Sequence, residues 1–270
     1  MRHLRVMFIA ALLLTAVGEA AAQCRMTNTA FKSGEFLSYN LYFNWKFVWV
    51  KAGTASMYVV ESKYKGKPAY RASLSTRGNK KVDKMFLLRD TLLCYTSKDL
   101  APLYFRKGAE EGKRYRVDEI WYTYSGGKCN IKQSRRHSSG KIDTRRFSTP
   151  ECVYDMMSIF LRARSFNTAN WKEGHIINFP IADGNGTNPA RLKYMGKKNV
   201  KADNGVKYRC LELSYIEEDN GEWKEIARFF VTDDSNHIPV RLDMFLKFGS
   251  AKAFLTSMKG MRSATTARVK

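Results

Sequence analysis

The sequence predicts a mainly β protein: a curved antiparallel sheet or open barrel, or two such lobes, with one amphipathic helix packed on it. Two segments carry this prediction, because apolar side chains occupy every second position in each, as in a strand with one buried face. The first comprises Leu37, Tyr39, Leu41, Phe43, Trp45, Phe47 and Trp49, and the second comprises Val240, Leu242, Met244, Leu246 and Phe248. Turn sequences rich in Gly, Asn and Asp separate further short strands, as in an antiparallel meander.

The residues before the first strand predict export. Arg2, His3 and Arg5 precede an apolar run over 6–17, which is followed by Ala20-Ala21-Ala22. A basic start, an apolar middle and a small-residue cleavage site form a secretory signal peptide, and the run is shorter than the roughly 20 residues that cross a bilayer. We therefore expect this segment to be removed.

Cleavage after Ala22 makes residues 1–22 the signal peptide and places the mature chain in the periplasm or outer envelope. Cys24 raises the alternative of a lipid-anchored lipoprotein. The sequence favours simple cleavage, because Gln23 stands where a lipid-attachment signal has a small residue.

The charge of the chain indicates the class of partner. A formal net charge of +22 on an exported protein favours an anionic envelope surface, such as phospholipid headgroups, lipopolysaccharide or acidic glycans. Export and the lack of a recognition pattern argue against nucleic acid. No apolar segment of the mature chain reaches membrane-spanning length, so we expect no transmembrane helix there.

The remaining elements follow in chain order. Alternation stops at Ala52-Gly53 and resumes toward the turn Lys65-Gly66-Lys67-Pro68, which predicts a hairpin partner for the first strand. Shorter strands are predicted over 70–75, 91–95, 115–124, 129–135, 191–194, 208–216 and 225–231. A cap at Ser148 or Thr149 and apolar residues at helical spacing predict a helix from Pro150 to about Arg164.

Domain organisation follows from this order of elements. Residues 23–260 form one mainly β domain, or two lobes that meet near residues 148–165. The tail over 261–270 is small and basic without periodicity, so we expect it to be disordered.

The cysteines give no metal site. Cys24, Cys94, Cys129, Cys152 and Cys210 include no C-x-x-C pair, and no His lies at ligand spacing from them. In an oxidising compartment the last four could form two disulfides in any of three connectivities, or remain buried thiols. No motif implies a cofactor.

Several of these landmarks together resemble domain-of-unknown-function family 3108, a group of exported bacterial proteins. The matching residues are Gly34-Glu35, Tyr39, Trp45, Ala52-Gly53, Asp99-Leu100-Ala101-Pro102, Glu111-Gly112, Asp155, Ser158, Arg162, Thr232-Asp233-Asp234, Asn236, Ile238-Pro239-Val240 and Gly249. The family supplies no catalytic residues. A curved sheet with a helix against it is similar to the half-barrel of periplasmic lipoprotein carriers, a likeness of fold alone.

Two groups of residues are candidates for binding. Trp45 and Trp49 are expected on a concave apolar surface, and Asp155 and Arg162 share a helix face with Ser158. In one interpretation, the tryptophans and the polar helix residues line a ligand pocket. In the other, the aromatic side chains fill a sealed core and the polar residues pair with neighbouring strands.

A basic hairpin around Ser138-Ser139-Gly140 is the second group. Alternation places many of its cations on one face, which makes either an anion-binding patch or a solvated hairpin. The patch residues are Lys132, Arg135, Arg136, Arg145 and Arg146.

These features favour a non-enzymatic binding or carrier protein for a lipid, glycolipid or other amphipathic ligand. One alternative is a hydrolase of envelope glycan or lipid, with Glu35, Asp155 and Asp233 as proton-transfer acids. Ser158 has no nucleophile-elbow sequence around it. Another alternative is a structural accessory of an outer-membrane assembly, which would expose an apolar patch.

Overall fold

The computed structural model describes residues 24–45, 48–84, 87–112, 114–246 and 249–269. The signal peptide expected over 1–22 lies outside these ranges. Within them, no helix is long and apolar enough to cross a membrane.

The described residues are mostly strand, as the alternation predicts. The strands are β1 Glu35–Trp45, β2 Val48–Tyr64, β3 Lys67–Gly78, β4 Leu88–Ser97, β5 Pro102–Glu111, β6 Arg114–Ser125, β7 Lys128–Arg136, β8 Ile142–Thr149, β9 Ile176–Ala182, β10 Thr187–Lys201, β11 Lys207–Asp219, β12 Glu222–Thr232, β13 Pro239–Leu246, β14 Gly249–Lys259 and β15 Arg268–Val269. The helices are α1 Lys80–Asp83 and α2 Met156–Ala163.

All the long strands belong to one antiparallel sheet. Strands β1 to β8 form one meander, β9 to β14 form another, and the pairing of β1 with β14 joins them. The two strand-rich halves are therefore continuous through backbone hydrogen bonds. The sheet curves but is not closed, because its edge strands β8 and β9 do not pair with each other.

The gap between the edge strands is bridged by other contacts. Tyr154, in the segment between β8 and α2, forms a parallel bridge with Ile181 of β9. On the loop after β9, the Gly184 amide donates to Gln133 Oε1 at 2.9 Å. Arg135 of β7 contacts the same loop through Asp183. These contacts give the open sheet a barrel-like form.

The concave face of the sheet is packed. Leu37 and Met57 from the sheet share one buried cluster with Phe31 from the N-terminal segment and with Met157 and Leu161 from α2. A second buried cluster joins α2 to strands β9 to β12. The helix therefore lies between the two halves of the sheet and supplies apolar side chains to both clusters.

Two predicted elements begin or end elsewhere. The strand predicted to run to Trp49 ends at Trp45, and β2 begins at Val48 and pairs antiparallel with β1, so that Trp49 lies on β2 opposite Asn44. The predicted interruption at Ala52-Gly53 is a bulge within β2, where the register with β1 shifts. Apolar residues occupy the odd positions of the sequence in both β1 and the start of β2. Periodicity alone therefore does not show where the first strand ends.

The helix is shorter than predicted. It begins at Met156 rather than Pro150, because Asp155 is its N-cap and forms a capping box with Ser158. The C-terminal tail also differs from the expected disorder. Arg268-Val269 pair with β11, and Ala267 is fully buried.

Candidate anion-binding site

Six side chains form a row across the outer face of strands β3 to β8. Each is directly opposite the next in the register, and we call this set the aromatic–cation row: Arg71, Tyr95, Tyr104, Trp121, Lys132 and Arg146. The ring of Tyr64, on β2, lies 5.2 Å from that of Tyr95 and 6.1 Å from that of Tyr104. Four aromatic rings are therefore neighbours on one surface.

Alternation along the strands places this row outside. Cys94, Phe105 and Ile120 are each adjacent in sequence to a row residue and are buried in the core cluster. Successive side chains of a strand point to opposite faces, so the row residues point away from the core. The aromatic side chains are half-buried by one another, and Lys132 and Arg146 are exposed.

Cations flank the rings. The Lys132 Nζ lies 4.7 Å from the centre of the Trp121 ring, and the Lys65 Nζ lies 5.5 Å from that of Tyr64. Among the described residues, no carboxylate lies within 4 Å of the Lys132 or Arg146 charge. The charges at this end of the row are available to an anion.

One tyrosine of the row is a hydrogen-bond donor to a carboxylate. The Tyr104 hydroxyl donates to Glu119 Oε1 at 2.5 Å. Burial, followed by this bond to an anion, raises the pKa of Tyr104. Burial also raises the pKa of Tyr64. Uncharged rings beside free cations can bind a molecule that has both apolar faces and negative charges.

The structure divides the predicted anion patch between two faces. Lys132, Arg136 and Arg146 lie on the outer face, whereas Arg135 and Arg145 lie on the opposite one. Arg135 is also engaged, because its Nε donates to Asp118 Oδ1 at 2.6 Å and its Nη2 reaches Asp183. The register therefore places Arg135 and Arg145 on a different face from the other three cations.

The predicted concave tryptophans are not brought together. The side chain of Trp45 lies outside the described part of the structure. Trp49 lies on the outer face near the β1–β2 turn, 39% exposed, with Lys252 Nζ 4.2 Å from the centre of its ring. Because the hairpin turns before it, Trp49 cannot line the concave face as expected.

Asp155 and Arg162 form hydrogen bonds with neighbouring parts of the protein. Asp155 is fully buried; its Oδ1 accepts from the amides of Met157 and Ser158, and its Oδ2 accepts from the Tyr122 hydroxyl at 3.2 Å. Burial raises the pKa of Asp155 to about 6. Arg162 donates to the Cys24 carbonyl at 2.8 Å. These contacts fit the interpretation in which the two polar residues pair with neighbouring segments. They do not fit the interpretation in which these residues line an open pocket.

The acids considered for catalysis are separated and paired. Glu35 binds Arg164, just beyond the C-terminal end of α2, whereas Asp155 caps the N-terminal end. A rise of 1.5 Å per residue over nine residues puts these helix ends about 13 Å apart. Asp233 pairs with Lys197 and Arg209, which lower its pKa against the opposing effect of burial. The arrangement does not bring two free carboxyls together.

The cysteine pairing involves the residue considered for lipid attachment. Cys24 is bonded to Cys152, while Cys94, Cys129 and Cys210 are buried free thiols. Two disulfides among the last four cysteines are therefore wrong. Among the described residues, no group of three potential metal ligands is close enough to hold an ion.

A cleft of about 350 Å³ lies on β10 to β13 and contains mostly charged side chains. Arg228 pairs with Glu212 at 3.0 Å and with Glu225 at 2.8 Å, and Arg241 pairs with Asp243. Its arginines are already neutralised within the protein. The aromatic–cation row is therefore the better candidate for an anionic ligand.

The fold and the row define a class: an open, barrel-like antiparallel sheet with a filled concave side and an aromatic and cationic surface on its convex side. The chain belongs to the family described as a protein of unknown function, DUF3108, whose sequence profile matches residues 38–256. This confirms the resemblance seen in the sequence.

Solved structures similar to this chain include the two that follow, and the first supports the barrel-like fold. A β-barrel-like protein of domain of unknown function DUF1849 from Brucella abortus is 14% identical, with a TM-score of 0.55 over 85% of this chain and 98% of its own. A protein with a YmcC-like fold from Bacteroides fragilis is 10% identical, with a TM-score of 0.38 over 87% of this chain and 99% of its own. No curated protein matches this chain.

Sequence reasoning found only the cationic end of the row. Tyr95 lies on β4, Tyr104 on β5 and Trp121 on β6. Each aromatic occupies an outward position in its own strand, which is a weak signal when taken alone. Three aromatics at outward positions of consecutive predicted strands would have been the signal, but the segment of β5 was not predicted as a strand.

Proposed function

We propose that this protein is an exported, non-enzymatic binding protein of the bacterial envelope, which binds an acidic glycan or the sugar headgroup of an acidic glycolipid. The observation that carries the proposal is the aromatic–cation row on the convex face of the sheet. The packed concave side supports a ligand bound outside the sheet in place of a lipid enclosed within it.

The chemistry of the row fits a charged sugar. Aromatic side chains offer large apolar surfaces at low conformational cost, as the C–H faces of a pyranose ring require. Lys132 and Arg146 lie next to the rings, and an arginine can bind a carboxylate or phosphate through two parallel hydrogen bonds. A neutral sugar would leave these two cations unused, so acidic sugars are preferred.

Predicted export would bring the protein to the envelope, where a ligand of this class occurs. Residues 1–22 have the form of a signal peptide, and the Cys24–Cys152 disulfide suits an oxidising compartment. The same disulfide favours a cleaved soluble form over a lipoprotein anchored at Cys24. The net charge of the chain attracts anionic polymers over a longer range than the row itself.

A titration with two matched sugars tests the proposal. Isothermal titration with hexagalacturonate should show binding that weakens with salt, whereas maltohexaose should bind at least tenfold more weakly. Trp121→Ala should weaken hexagalacturonate binding by roughly thirtyfold, the loss of about 2 kcal/mol typical of a buried aromatic contact.

The control is an aromatic on the same sheet outside the row. Tyr58 is 39% exposed and lies on the outer face of β2 next to Phe36. Tyr58→Ala should leave the affinity unchanged. Equal loss in both variants, or equal affinity for the two sugars, would contradict the proposed site. Tighter binding of single-stranded nucleic acid than of hexagalacturonate would contradict the ligand class.

A further inference from the structure

The two hairpin tips at one end of the sheet expose apolar side chains on both faces. Across one row of the register, Val50, Phe43, Ala251 and Met244 are consecutive neighbours, so the β1–β2 and β13–β14 tips lie side by side. At this row and beyond it, five apolar side chains are 39% to 63% accessible; these are Val48, Trp49, Val50, Phe245 and Leu246. We call these five residues the apolar tip.

The apolar tip does not follow the pattern of the rest of the sheet. Farther along β2, from Ala55 to Val59, buried and less buried residues alternate, but here the neighbours Val48, Trp49 and Val50 are all exposed. In a monomeric soluble protein, a cluster of this kind marks an interaction site. Trp49 is a residue suited to a membrane–water interface, because its ring is apolar and its indole N–H is polar.

Lysines surround the apolar tip. Lys252 lies over the Trp49 ring, and Lys51 follows directly on β2. Asn79, the N-cap of α1, donates to the Lys51 carbonyl, so α1 and its exposed residues Lys80 and Lys81 lie beside the same hairpin. We call Lys51, Lys80, Lys81 and Lys252 the basic collar of the apolar tip.

Two acids near this end are paired within the protein. Asp83 of α1 pairs with Arg89 at 2.9 Å, and Asp243 of β13 pairs with Arg241. Asp203 accepts a hydrogen bond from the Tyr42 hydroxyl, opposite Lys51 and Lys252 in the register, and the four lysines of the collar still leave a net positive charge. An apolar tip within a cationic collar matches an anionic lipid surface, where side chains enter the headgroup region and lysines meet lipid phosphates.

We infer that the apolar tip docks this protein on an anionic lipid membrane. Docking through the hairpin tips places the long axes of the strands toward the bilayer and leaves the outer face of β3 to β8 free for the proposed ligand. This inference concerns a second surface and does not depend on the aromatic–cation row.

Vesicle co-sedimentation of the purified protein tests the inference. Vesicles of phosphatidylglycerol and phosphatidylcholine should sediment the protein, and pure phosphatidylcholine should do so at least tenfold less well. The triple variant Val48→Ser, Trp49→Ser, Leu246→Ser should lose at least tenfold in partitioning. The first control, Ile142→Ser with Ile176→Ser, removes two equally exposed side chains from the sheet edges and should remain within twofold of the unchanged protein.

Trp121→Ala is the second control. It should keep vesicle binding while losing hexagalacturonate, so that failure of one proposal is separable from failure of the other. Circular dichroism confirms that each variant is folded.

Three results would overturn membrane docking. One is the absence of sedimentation with phosphatidylglycerol vesicles. Another is equal partitioning by the triple variant and the unchanged protein. The third is a dimer by analytical ultracentrifugation that the triple variant abolishes, which would assign the apolar tip to a second copy of this chain.

Discussion

The buried ion pair between Glu35 and Arg164 gives the sharpest test of how this fold is held together. Both side chains are at most 2% exposed. Arg164 donates to the two oxygens of Glu35 at 2.5 and 2.8 Å and also to the Asn236 carbonyl at 3.0 Å. The pair therefore connects the start of β1, the end of α2 and the loop before β13.

The expected loss follows from leaving the guanidinium without a countercharge. Removing one partner of a buried pair costs about 3 to 5 kcal/mol, because the remaining charge stays desolvated. We expect Glu35→Gln to lower the free energy of unfolding by about 4 kcal/mol. With a urea slope of about 3 kcal/mol per M, the midpoint should fall by about 1.3 M.

Urea unfolding followed by circular dichroism measures this shift, with Glu61→Gln as the matched control. Glu61 pairs with Lys98, but its side chain is 61% exposed, so its loss should cost at most about 1 kcal/mol. The double variant Glu35→Leu, Arg164→Met should lose less than the sum of its single variants. A midpoint for Glu35→Gln equal to that of Glu61→Gln would refute the reasoning.

Three further changes have defined outcomes. Burial raises the pKa of Asp155 from 3.8 to about 6, so its stabilising effect is complete below about pH 4 and is lost as the pH rises through 6. Asp155→Asn should therefore gain about 3 kcal/mol relative to the unchanged protein between pH 4 and 7. Reducing Cys24–Cys152, which closes a separation of 128 residues, should cost about 5 kcal/mol. Gly184→Ala should destabilise by about 2 kcal/mol, because Gly184 has a φ of +93° and an added Cβ would lie 2.5 Å from the Asp118 Cβ.

Each of these has its own check in urea unfolding. A stability difference between Asp155→Asn and the unchanged protein that stays constant from pH 4 to 7 would show that Asp155 is ionised in the native state. Cys24→Ser with Cys152→Ser should be insensitive to reductant, and a remaining response would implicate another bond. For Gly184→Ala, the control is Gly186→Ala, whose added Cβ meets nothing within 4 Å.

Much of the fold was available from local sequence pattern. Alternation identified the inner face of β1 at Leu37, Tyr39 and Leu41, all of which are buried. Turn residues placed the β6–β7 and β11–β12 connections at Gly126-Gly127 and at Asn220-Gly221, where positive φ values occur. Both signals depend on interactions between residues close in sequence, so they need no knowledge of the tertiary structure.

The candidate site was available only in part. Lys132 and Arg146 were found as cations of one hairpin, but their assembly with Tyr104 and Trp121 depends on the register of β5 to β8. Register is set by turn lengths, bulges and cross-strand packing together, and a shift of one residue would turn Trp121 toward the core.

The sequence by itself determined the strand-rich class, the strong positive charge and the family, and it predicted a segment for export. Only the tertiary structure decided that the concave side is filled, that Cys24 pairs with Cys152, and that two distant hairpin tips form one apolar end. Those features join residues far apart along the chain, whereas periodicity and turn chemistry report on neighbours. The packing of the whole sheet around α2 therefore determined them.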